Sequence, residues 1–393
     1  MDMSETNKPL SAKFIFLLAV ATGGAVASNY YAQPLLHTIA LSLQIDDALT
    51  GLIITAAQIS YAIGLLALVP LGDVLERKRL IISMLLLAVA GLLISAFSQN
   101  IVWLLAGTIV AGFFSAVAQV IVPFAAALAK DSERGRVVGV VMGGLLLGVL
   151  FARIAAGFAS QIGSWRSIYM AAAVMLSAIA LLLYREIPFS PASSKMSYKT
   201  LLISTLSQFA EHPKLILFGV LGALNFAVFS FLWTPSALML SSKPYYFNDA
   251  IIGLFGLAGV AGAFMAPYAG RWADKGKSSS VMTLGFVLLA FSWLPIYFAP
   301  SSIVLFIIGI VALDMAAQVI HISTMSQTHK LNANSRSRLN ACYMVCHFLG
   351  GAAGSFASTR IFVQLGWTGI TAAGVISAFA GFTLCAVFFR MKK

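Results

Sequence analysis

The stretch DALTGL at residues 47–52 decides the fold, because it recurs as DAIIGL at residues 249–254. Each copy begins a long apolar run, and its aspartate, Asp47 or Asp249, can accept hydrogen bonds from the free N–H groups of a helix start. The two aspartates are 202 positions apart. This recurrence predicts that the chain contains two copies of one helical design.

Four further pairs recur in the same order, with matching residues such as Asp73 and Asp274 or Pro34 and Pro235 lying 201 or 202 positions apart. They are AQPLL (32–36) with TPSAL (234–238), PLGDVLERKR (70–79) with YAGRWADKGK (268–277), ERGR (133–136) with SRSR (335–338), and Trp165 with Trp367. We therefore predict two halves, residues 1–184 and 214–393, joined by a cytoplasmic linker at residues 185–213. Pro34 and Pro235 occupy matching positions and are expected to interrupt the first helix of each half.

The composition places both halves in a membrane. Of 393 residues, 60% are hydrophobic and 10% charged, and the mean hydropathy is +0.93. Apolar helices of about 20 residues cross a hydrocarbon core of roughly 30 Å. We predict an all-α membrane protein with twelve transmembrane helices in two pseudo-symmetric six-helix bundles. The predicted spans are 14–38, 48–71, 80–97, 102–129, 137–161, 166–184, 214–240, 250–270, 280–299, 302–327, 339–360 and 368–389.

The basic residues orient the chain. The formal net charge is +12, and we assign 21 of the 25 Lys and Arg residues to the two termini and to alternate predicted loops. The positive-inside rule then places both termini in the cytoplasm, as in a multi-pass protein of the bacterial inner membrane. The basic loops are expected to contact lipid headgroups, and this distribution argues against nucleic-acid binding.

Several functional classes are disfavoured. No Ser-His-Asp arrangement in loops, HExxH motif or GxxxxGK[ST] loop is present, so we do not expect an enzyme or a nucleotide-driven pump. The three cysteines lie in predicted spans without the spacing of a metal site, and no cofactor or metal is expected. A channel or receptor remains an alternative to a transporter.

The loop after the second span of each half carries the most specific motif. Twelve spans in two repeats, with this acidic and basic loop, resemble the major facilitator superfamily, whose pattern is Gly-x-Leu-Ala-Asp-Arg-x-Gly-Arg-Lys. Both copies depart from it: Val69 replaces the leading glycine and Val74 the first arginine. In that family the loop is a cytoplasmic latch between the halves. The resemblance implies a latch role for Asp73, Arg77, Lys78, Asp274 and Lys275, whereas the alternative is that these charges only set topology.

The resemblance also implies a substrate cavity between helices one, four, seven and ten, near the middle of the membrane. Polar and aromatic residues lie at helical spacing on these four helices. They are Asn29, Tyr30 and Gln33; Ser115 and Gln119; Asn225, Phe229 and Trp233; and Asp314, Gln318 and His321. The alternative for each polar residue is a structural hydrogen bond to a neighbouring helix.

The stretch LFIIGIVALDMAAQVIHIST, residues 305–324, has a carboxylate at its middle. Asp314 is the only one of thirteen acidic residues inside a predicted span. An ionised carboxylate there costs about 2.5–3.5 kcal/mol, so it should face a cavity or a partner. We hypothesise that Asp314 carries a coupling proton and meets cationic groups of the substrate, with His321 as a weaker candidate for proton relay. The alternatives are a buried ion pair for Asp314 and a core position for His321.

Arg153 is the second charge inside a span. It lies near the outer part of helix five, where four roles are open: binding an anionic substrate, pairing with Asp314, gating the outer side, or extending along the lipid to the interface.

The resemblance to bacterial efflux members implies a direction. We expect a monomer that exports an amphipathic or cationic small molecule in exchange for protons. The antiporter pattern is incomplete, since Thr108 and Ala111 replace its arginine and glutamine, and Val149 its proline. The alternative is a carrier for a small anionic metabolite centred on Arg153.

Overall fold

The computed structural model describes residues 10–191, 196–275, 278–332 and 335–390, without the side chains of residues 263, 273, 274 and 390. These residues form α-helices joined by short turns, and no β-strand occurs among them. The helices of the first part are α1 (Ala12–Ala27), α2 (Leu36–Leu43), α3 (Asp47–Leu68), α4 (Leu71–Val74), α5 (Arg77–Ala96), α6 (Ile101–Phe114), α7 (Val117–Leu128), α8 (Arg134–Ile162) and α9 (Arg166–Glu186). Those of the second part are α10 (Tyr198–Leu206), α11 (Gln208–Glu211), α12 (Pro213–Ser241), α13 (Asp249–Leu254), α14 (Val260–Asp274), α15 (Ser278–Phe291), α16 (Trp293–Tyr297), α17 (Ile303–His329) and α18 (Arg336–Arg390).

The predicted all-α membrane fold is confirmed. Ten helical segments in the described ranges are long and apolar enough to cross a membrane, and the shorter α1 is also apolar. The 55-residue α18 is broken at Gly366, whose φ of +63° favours glycine. At about 1.5 Å per residue, α18 is far longer than one crossing requires, so the break separates two segments that match the last two predicted spans. The count of twelve stays a prediction.

Two expected breaks at proline have different outcomes. Pro34 lies in a short 3₁₀ helix, Gln33–Leu35, which together with a turn at residues 28–32 separates α1 from α2. Pro235 lies inside α12, which is one continuous helix. The chain leaves the α-helix only near Pro34, and a kink or flexible point of α12 at Pro235 stays a prediction.

The helix starts correct another expectation. The N-cap of α3 is Asp46, whose carboxylate accepts from Ala48 N–H at 2.7 Å, and the N-cap of α13 is Asn248, which accepts from Ile251 N–H at 3.0 Å. Assigning the caps to Asp47 and Asp249 was wrong by one residue. In each helix the side chain of the preceding residue, Asp46 or Asn248, accepts from the free N–H group.

Hydrogen bonds join the two parts of the chain near the starts of α3 and α13. The Thr38 hydroxyl is shared between both carboxylate oxygens of Asp249, at 2.7 and 2.8 Å. Thr359 donates to Ala48 O at 3.0 Å, and Thr55 to Ala352 O at 3.3 Å. We call this end of the molecule the closed end, because these hydrogen bonds hold the two parts of the chain together there.

The linker contacts both parts of the chain. Ser190 accepts from Arg77 N–H at 3.1 Å and donates its own N–H to Glu76 at 3.2 Å. Tyr198 donates to Ala67 O, at the end of α3, at 2.8 Å. The Cys342 thiol, in α18, donates to Thr205 O at 3.1 Å. The linker thus lies across the end opposite the closed end.

Candidate substrate cavity

A cavity of about 300 Å³ lies between α8, α12, α17, α18 and the turn at residues 28–32. Most of its wall is apolar or aromatic, and its charged groups are Arg153 and Asp314. The lining residues are Tyr30, Leu145, Leu146, Leu147, Val149, Leu150, Arg153, Asn225, Phe226, Phe229, Gly256, Gly259, Val260, Gly262, Asp314, Ala317, Gln318, His321, Met344, His347 and Phe348. Such a mixture of apolar walls and a few polar groups is typical of small-molecule sites.

Arg153 is enclosed by aromatic rings and is only 5% exposed. The centre of its guanidinium group lies 3.9 Å from the ring centroid of Trp233, 5.6 Å from Tyr30 and 5.8 Å from Phe229. Its Nε donates to Gln33 Oε1 at 2.7 Å, whereas its Nη2 is buried without a partner. These contacts do not fit the alternative in which Arg153 extends along the lipid, because the ring faces hold its charge inside the protein.

Asp314 is the twelfth of the 27 residues of α17 and is 6% exposed. Its Oδ1 accepts from Trp233 Nε1–H at 3.2 Å. Within the described part of the chain, no carboxylate oxygen lies within 4.0 Å of an Arg153 nitrogen. Trp233 therefore contacts both charged groups, with its ring face toward Arg153 and its N–H toward Asp314.

Two glycines of the neighbouring segment make room for this carboxylate. A Cβ atom on Gly259 would lie 2.6 Å from Asp314 Oδ2, and one on Gly262 would lie 2.9 Å from the Asp314 backbone oxygen. Either methyl group would force a shift of the backbone or of the carboxylate. These two glycines therefore allow close packing of their segment against Asp314.

A second group of polar residues lies one to two turns further along the cavity. Gln318 and His321 follow Asp314 on α17. His321 Nδ1 is 3.0 Å from the Tyr343 hydroxyl, and its ring lies 4.7 Å from that of His347. His347 Nδ1 in turn lies 3.0 Å from Gly222 O. The two histidines are thus already hydrogen-bonded within the protein.

Asn225 presents an amide whose orientation is fixed by its surroundings. Its Nδ2 donates to Ala317 O at 3.1 Å, and since a carbonyl can only accept, the amide oxygen must point the other way. That Oδ1 is buried without a partner. Asn225 is 2% exposed and lies in the cavity wall.

The remaining predicted cavity residues lie outside this wall. Asn29 Nδ2 donates to Ser115 Oγ at 2.8 Å, so these two residues join neighbouring helices. Gln119 hydrogen-bonds Tyr61. Gln33 and Trp233 instead line a second, very small cavity of about 10 Å³ on the other side of Arg153. The side chains of Arg153 and Trp233 therefore separate the main cavity from the closed end.

Several lining residues were not predicted. Phe226, Met344 and Phe348 are apolar residues with no polar partner in sequence to mark them, and His347 is a single histidine on a helix face, which does not by itself indicate a site. Met344, His347 and Phe348 lie on α18, a helix outside the four that the resemblance implies. Their spacing of three to four residues was the available signal, but every buried helix face has it.

The predicted latch is a local cluster in the described residues. Arg77 Nη2 is 3.7 Å from Asp73 Oδ1, and its Nε donates to Gly72 O at 3.0 Å. Lys78 lies 5.0 Å from the ring centroid of Tyr184. The side chain of Asp274 lies outside the described residues, and Lys275 is exposed in a turn. The predicted bridge between the halves stays a prediction.

Glu76 precedes this cluster and caps α5. Its carboxylate accepts from the N–H groups of Lys78 at 2.9 Å, Arg79 at 2.8 Å and Ser190 at 3.2 Å. Burial favours the protonated acid, but these three hydrogen bonds outweigh it and lower the pKa of Glu76. Its charge therefore stabilises both the helix start and the beginning of the linker.

The comparisons with known proteins agree with this architecture. The sequence matches the Major Facilitator Superfamily over residues 18–277 and 233–393. The uncharacterized transporter YgaY of Escherichia coli O157:H7 is 47% identical over 376 residues, covering 96% of this chain and 95% of that protein. The probable transporter SCO4007 of Streptomyces coelicolor is 32% identical over 381 residues, covering 95% and 87%. The solved structure of the nucleoside transporter NupG shares the fold, with a TM-score of 0.76 at 16% identity over 98% of this chain and all of that one. The chain therefore belongs to the major facilitator superfamily of transporters.

Proposed function

We propose that the protein exports a small amphipathic molecule in exchange for protons, by alternating access of one central cavity. The observation that carries the proposal is the position of Asp314, a buried carboxylate near the middle of a membrane-length helix and in the wall of the cavity. A carboxylate in hydrocarbon is costly and marks a proton or ion pathway by default. Asp314 is therefore the proton-carrying residue of the proposal.

The direction of access follows from two features. The hydrogen bonds of the closed end lie near residues 47 and 249, whereas the basic loops lie at the opposite helix ends. The positive-inside rule assigns those loops, and with them both chain termini, to the cytoplasm. In this arrangement the cavity receives its substrate from the cytoplasm, as export from the inner membrane of a bacterium requires. Asp73 and Arg77 would then stabilise the opposite, outward-facing state.

The wall admits two substrate classes. An amphipathic cation would meet Asp314, and a small anion would meet Arg153. His321 could pass a proton between Asp314 and the cytoplasmic side, since it lies seven residues further along α17. We propose transport by a monomer, because each chain contains a complete cavity.

The test uses purified protein in vesicles that contain a pH-sensitive dye, with a panel of amphipathic cations and anions. At least one compound is expected to produce proton movement through the wild-type protein. Asp314→Asn should abolish that proton movement while the compound still exchanges across the membrane without a pH gradient. Proton movement that survives in Asp314→Asn would contradict the proposal.

A further inference from the structure

We infer that the substrate is a small organic acid with a flat apolar body and a separate hydroxyl or N–H group. The inference rests on the proposed transport function and names its substrate class. It follows from two residues of the cavity wall, Arg153 and Asn225, each of which has a buried polar atom without a partner, Nη2 and Oδ1 respectively.

Arg153 supplies a hydrogen-bond donor and a positive charge. Its Nε is occupied by Gln33, and its ring contacts offer no acceptor to Nη2. A buried donor without a partner is unfavourable, and a charged one more so. Because a guanidinium group matches the planar geometry of a carboxylate, a carboxylate on the ligand is the chemical group that best completes this site.

Asp314 is poorly placed to receive a cation. One carboxylate oxygen accepts from Trp233, and the other is packed closely against Gly259. A cationic ligand would also enter the cavity beside Arg153, whose charge interacts with that of Asp314 across the same space. Like charges in a medium of low dielectric constant repel strongly, so a cation beside Arg153 is disfavoured, whereas Arg153 offsets the repulsion between Asp314 and an anionic ligand.

Asn225 supplies an acceptor. Its amide nitrogen is occupied by Ala317 O, which leaves Oδ1 to accept from the ligand. A hydroxyl or N–H group satisfies this atom, whereas an apolar ligand would leave it unpaired. The ligand must therefore carry a donor in addition to its acid group.

The aromatic wall sets the shape of the rest. Phe226 and Phe229 stack with ring centroids 5.4 Å apart, and Phe348 lies edge-on to Phe226 at 5.3 Å. Phe226 is also stacked on His347, with ring centroids 4.4 Å apart, so its faces are covered within the protein. This apolar aromatic wall favours a flat aromatic body on the ligand that packs edge-to-face. A volume of about 300 Å³ is at the small end for ligand sites, which limits the substrate to a small molecule.

The test compares four compounds of one shape. They are para-hydroxyphenylacetate, its neutral amide, phenylacetate without the hydroxyl group, and the cationic amine tyramine. Binding to the purified wild-type protein in detergent is measured by calorimetry at neutral pH. We expect para-hydroxyphenylacetate to bind about tenfold or more tighter than the amide and than tyramine, and several-fold tighter than phenylacetate. Equal binding of acid and amide, preference for tyramine, or no binding of the acid would overturn the inference.

Two variants assign the preferences to residues. Arg153→Gln should remove the difference between the acid and its amide but keep the contribution of the hydroxyl group. Asn225→Val should do the reverse. The variants report differences between ligands on one protein, so a general loss of stability does not imitate either result. If either variant keeps the preference assigned to the residue it removes, the inference is wrong.

The outcome is separable from the proposed function. Proton-coupled transport of tyramine would support the transporter proposal and overturn the substrate class. Acid-specific binding together with proton movement that ignores Asp314→Asn would support the substrate class and contradict the coupling role.

Discussion

The two parts of the chain make the same backbone contact with different chemistry. Gly253 packs against the backbone oxygen of Arg153, and Gly51 packs against that of Ser355, with a Cβ atom on either glycine placed 2.5 and 2.7 Å from that oxygen. Gly51 and Gly253 are 202 positions apart in the sequence, and so are Arg153 and Ser355. These contacts fit the predicted duplication: the close approach of the helices is common to both copies, whereas the side chain at its centre is a cation in one and a hydroxyl in the other.

The partners of these side chains correspond as well. Arg153 donates to Gln33 at 2.7 Å, and Ser355 lies 3.1 Å from Thr234, which is 201 positions beyond Gln33. Ser355 and Thr234 are fully buried and satisfy each other, whereas Arg153 keeps an unpaired nitrogen. The Ser355–Thr234 pair completes a contact between helices, whereas the Arg153–Gln33 pair leaves the Arg153 Nη2 donor for a ligand.

A second pair of positions shows the opposite distribution. Asp314 packs against Gly262, and its counterpart Gly112 packs against Ser60. Each half therefore contributes one charge to the cavity at a position where the other half has a small or neutral residue. In the predicted repeat, the positions that the halves share form helix contacts, and the positions at which they differ carry the two charges of the cavity. Four experiments test this contrast.

Arg153→Ser, which gives the first half the residue of the second, should have the largest effect. Removing the charged partner of a buried anion costs about 2–5 kcal/mol, or roughly 30- to 4,000-fold in affinity. Calorimetry with para-hydroxyphenylacetate measures the loss. Ser355→Ala is the matched control and should change the affinity by only a few-fold, since Ser355 lies in a contact away from the cavity wall. Equal losses in the two variants would remove the functional asymmetry.

Trp233→Phe should have the next largest effect. Phenylalanine keeps a ring face for Arg153 but removes the N–H donated to Asp314, and a hydrogen bond to a charged group contributes about 1.5–3 kcal/mol. Proton-coupled transport in vesicles is expected to fall roughly tenfold to 150-fold. The equivalent position in the first half is Ala32, so this donor belongs to one half only. Wild-type transport by Trp233→Phe would show that the hydrogen bond is dispensable.

Gly259→Ala should have a somewhat smaller effect, because the backbone can relax in part. The added methyl group would lie 2.6 Å from Asp314 Oδ2, and overpacking of this kind costs about 1–3 kcal/mol. Proton movement in vesicles and the thermal unfolding midpoint should both fall. The first half has Ala57 at the equivalent position, and Ala57→Gly, which costs about 1 kcal/mol by helix propensity, is the reciprocal control. A smaller loss of proton movement in Gly259→Ala than in Ala57→Gly would contradict the role of this space.

Thr38→Val and Thr359→Val should have the smallest effects and differ from each other. Thr38 donates to the carboxylate of Asp249, whereas Thr359 donates to the carbonyl of Ala48, and bonds to charged acceptors are roughly twice as strong. Loss of the Thr38 bond should open the closed end more often. A cysteine introduced at Ser236, which lines the small cavity there, should react with an impermeant maleimide a few-fold faster. A larger increase in Thr359→Val would reverse the predicted order.

Much of the architecture could be predicted from the sequence. Apolar runs of membrane length locate the long helices within a few residues, because the hydrophobic effect makes these runs conspicuous. The break between α1 and α2 was expected from Pro34, but the apolar run at residues 14–38 is continuous and does not show that α1 already ends at Ala27. Long apolar runs report burial in lipid and contain little information about the backbone within them.

The site was predicted less completely. Arg153 and Asp314 were identifiable because a charge in a span needs an explanation. Asn29, Ser115 and Gln119 lie on the expected helices yet hydrogen-bond within the protein, and helical spacing cannot distinguish a helix contact from a cavity wall. The role of Trp233 between the two charges depends on the relative rotation of α12 and α17, which only tertiary packing determines.

The linker imposes a mechanical condition on the transport cycle. The linker is hydrogen-bonded to the start of α5 through Ser190, to the end of α3 through Tyr198 and to α18 through Thr205. Any relative motion of the two bundles must therefore move the linker with it or break at least one of these hydrogen bonds. Each of these hydrogen bonds would resist the motion by about 0.5–1.5 kcal/mol, so residues far from the cavity contribute to the free energy of the transport cycle.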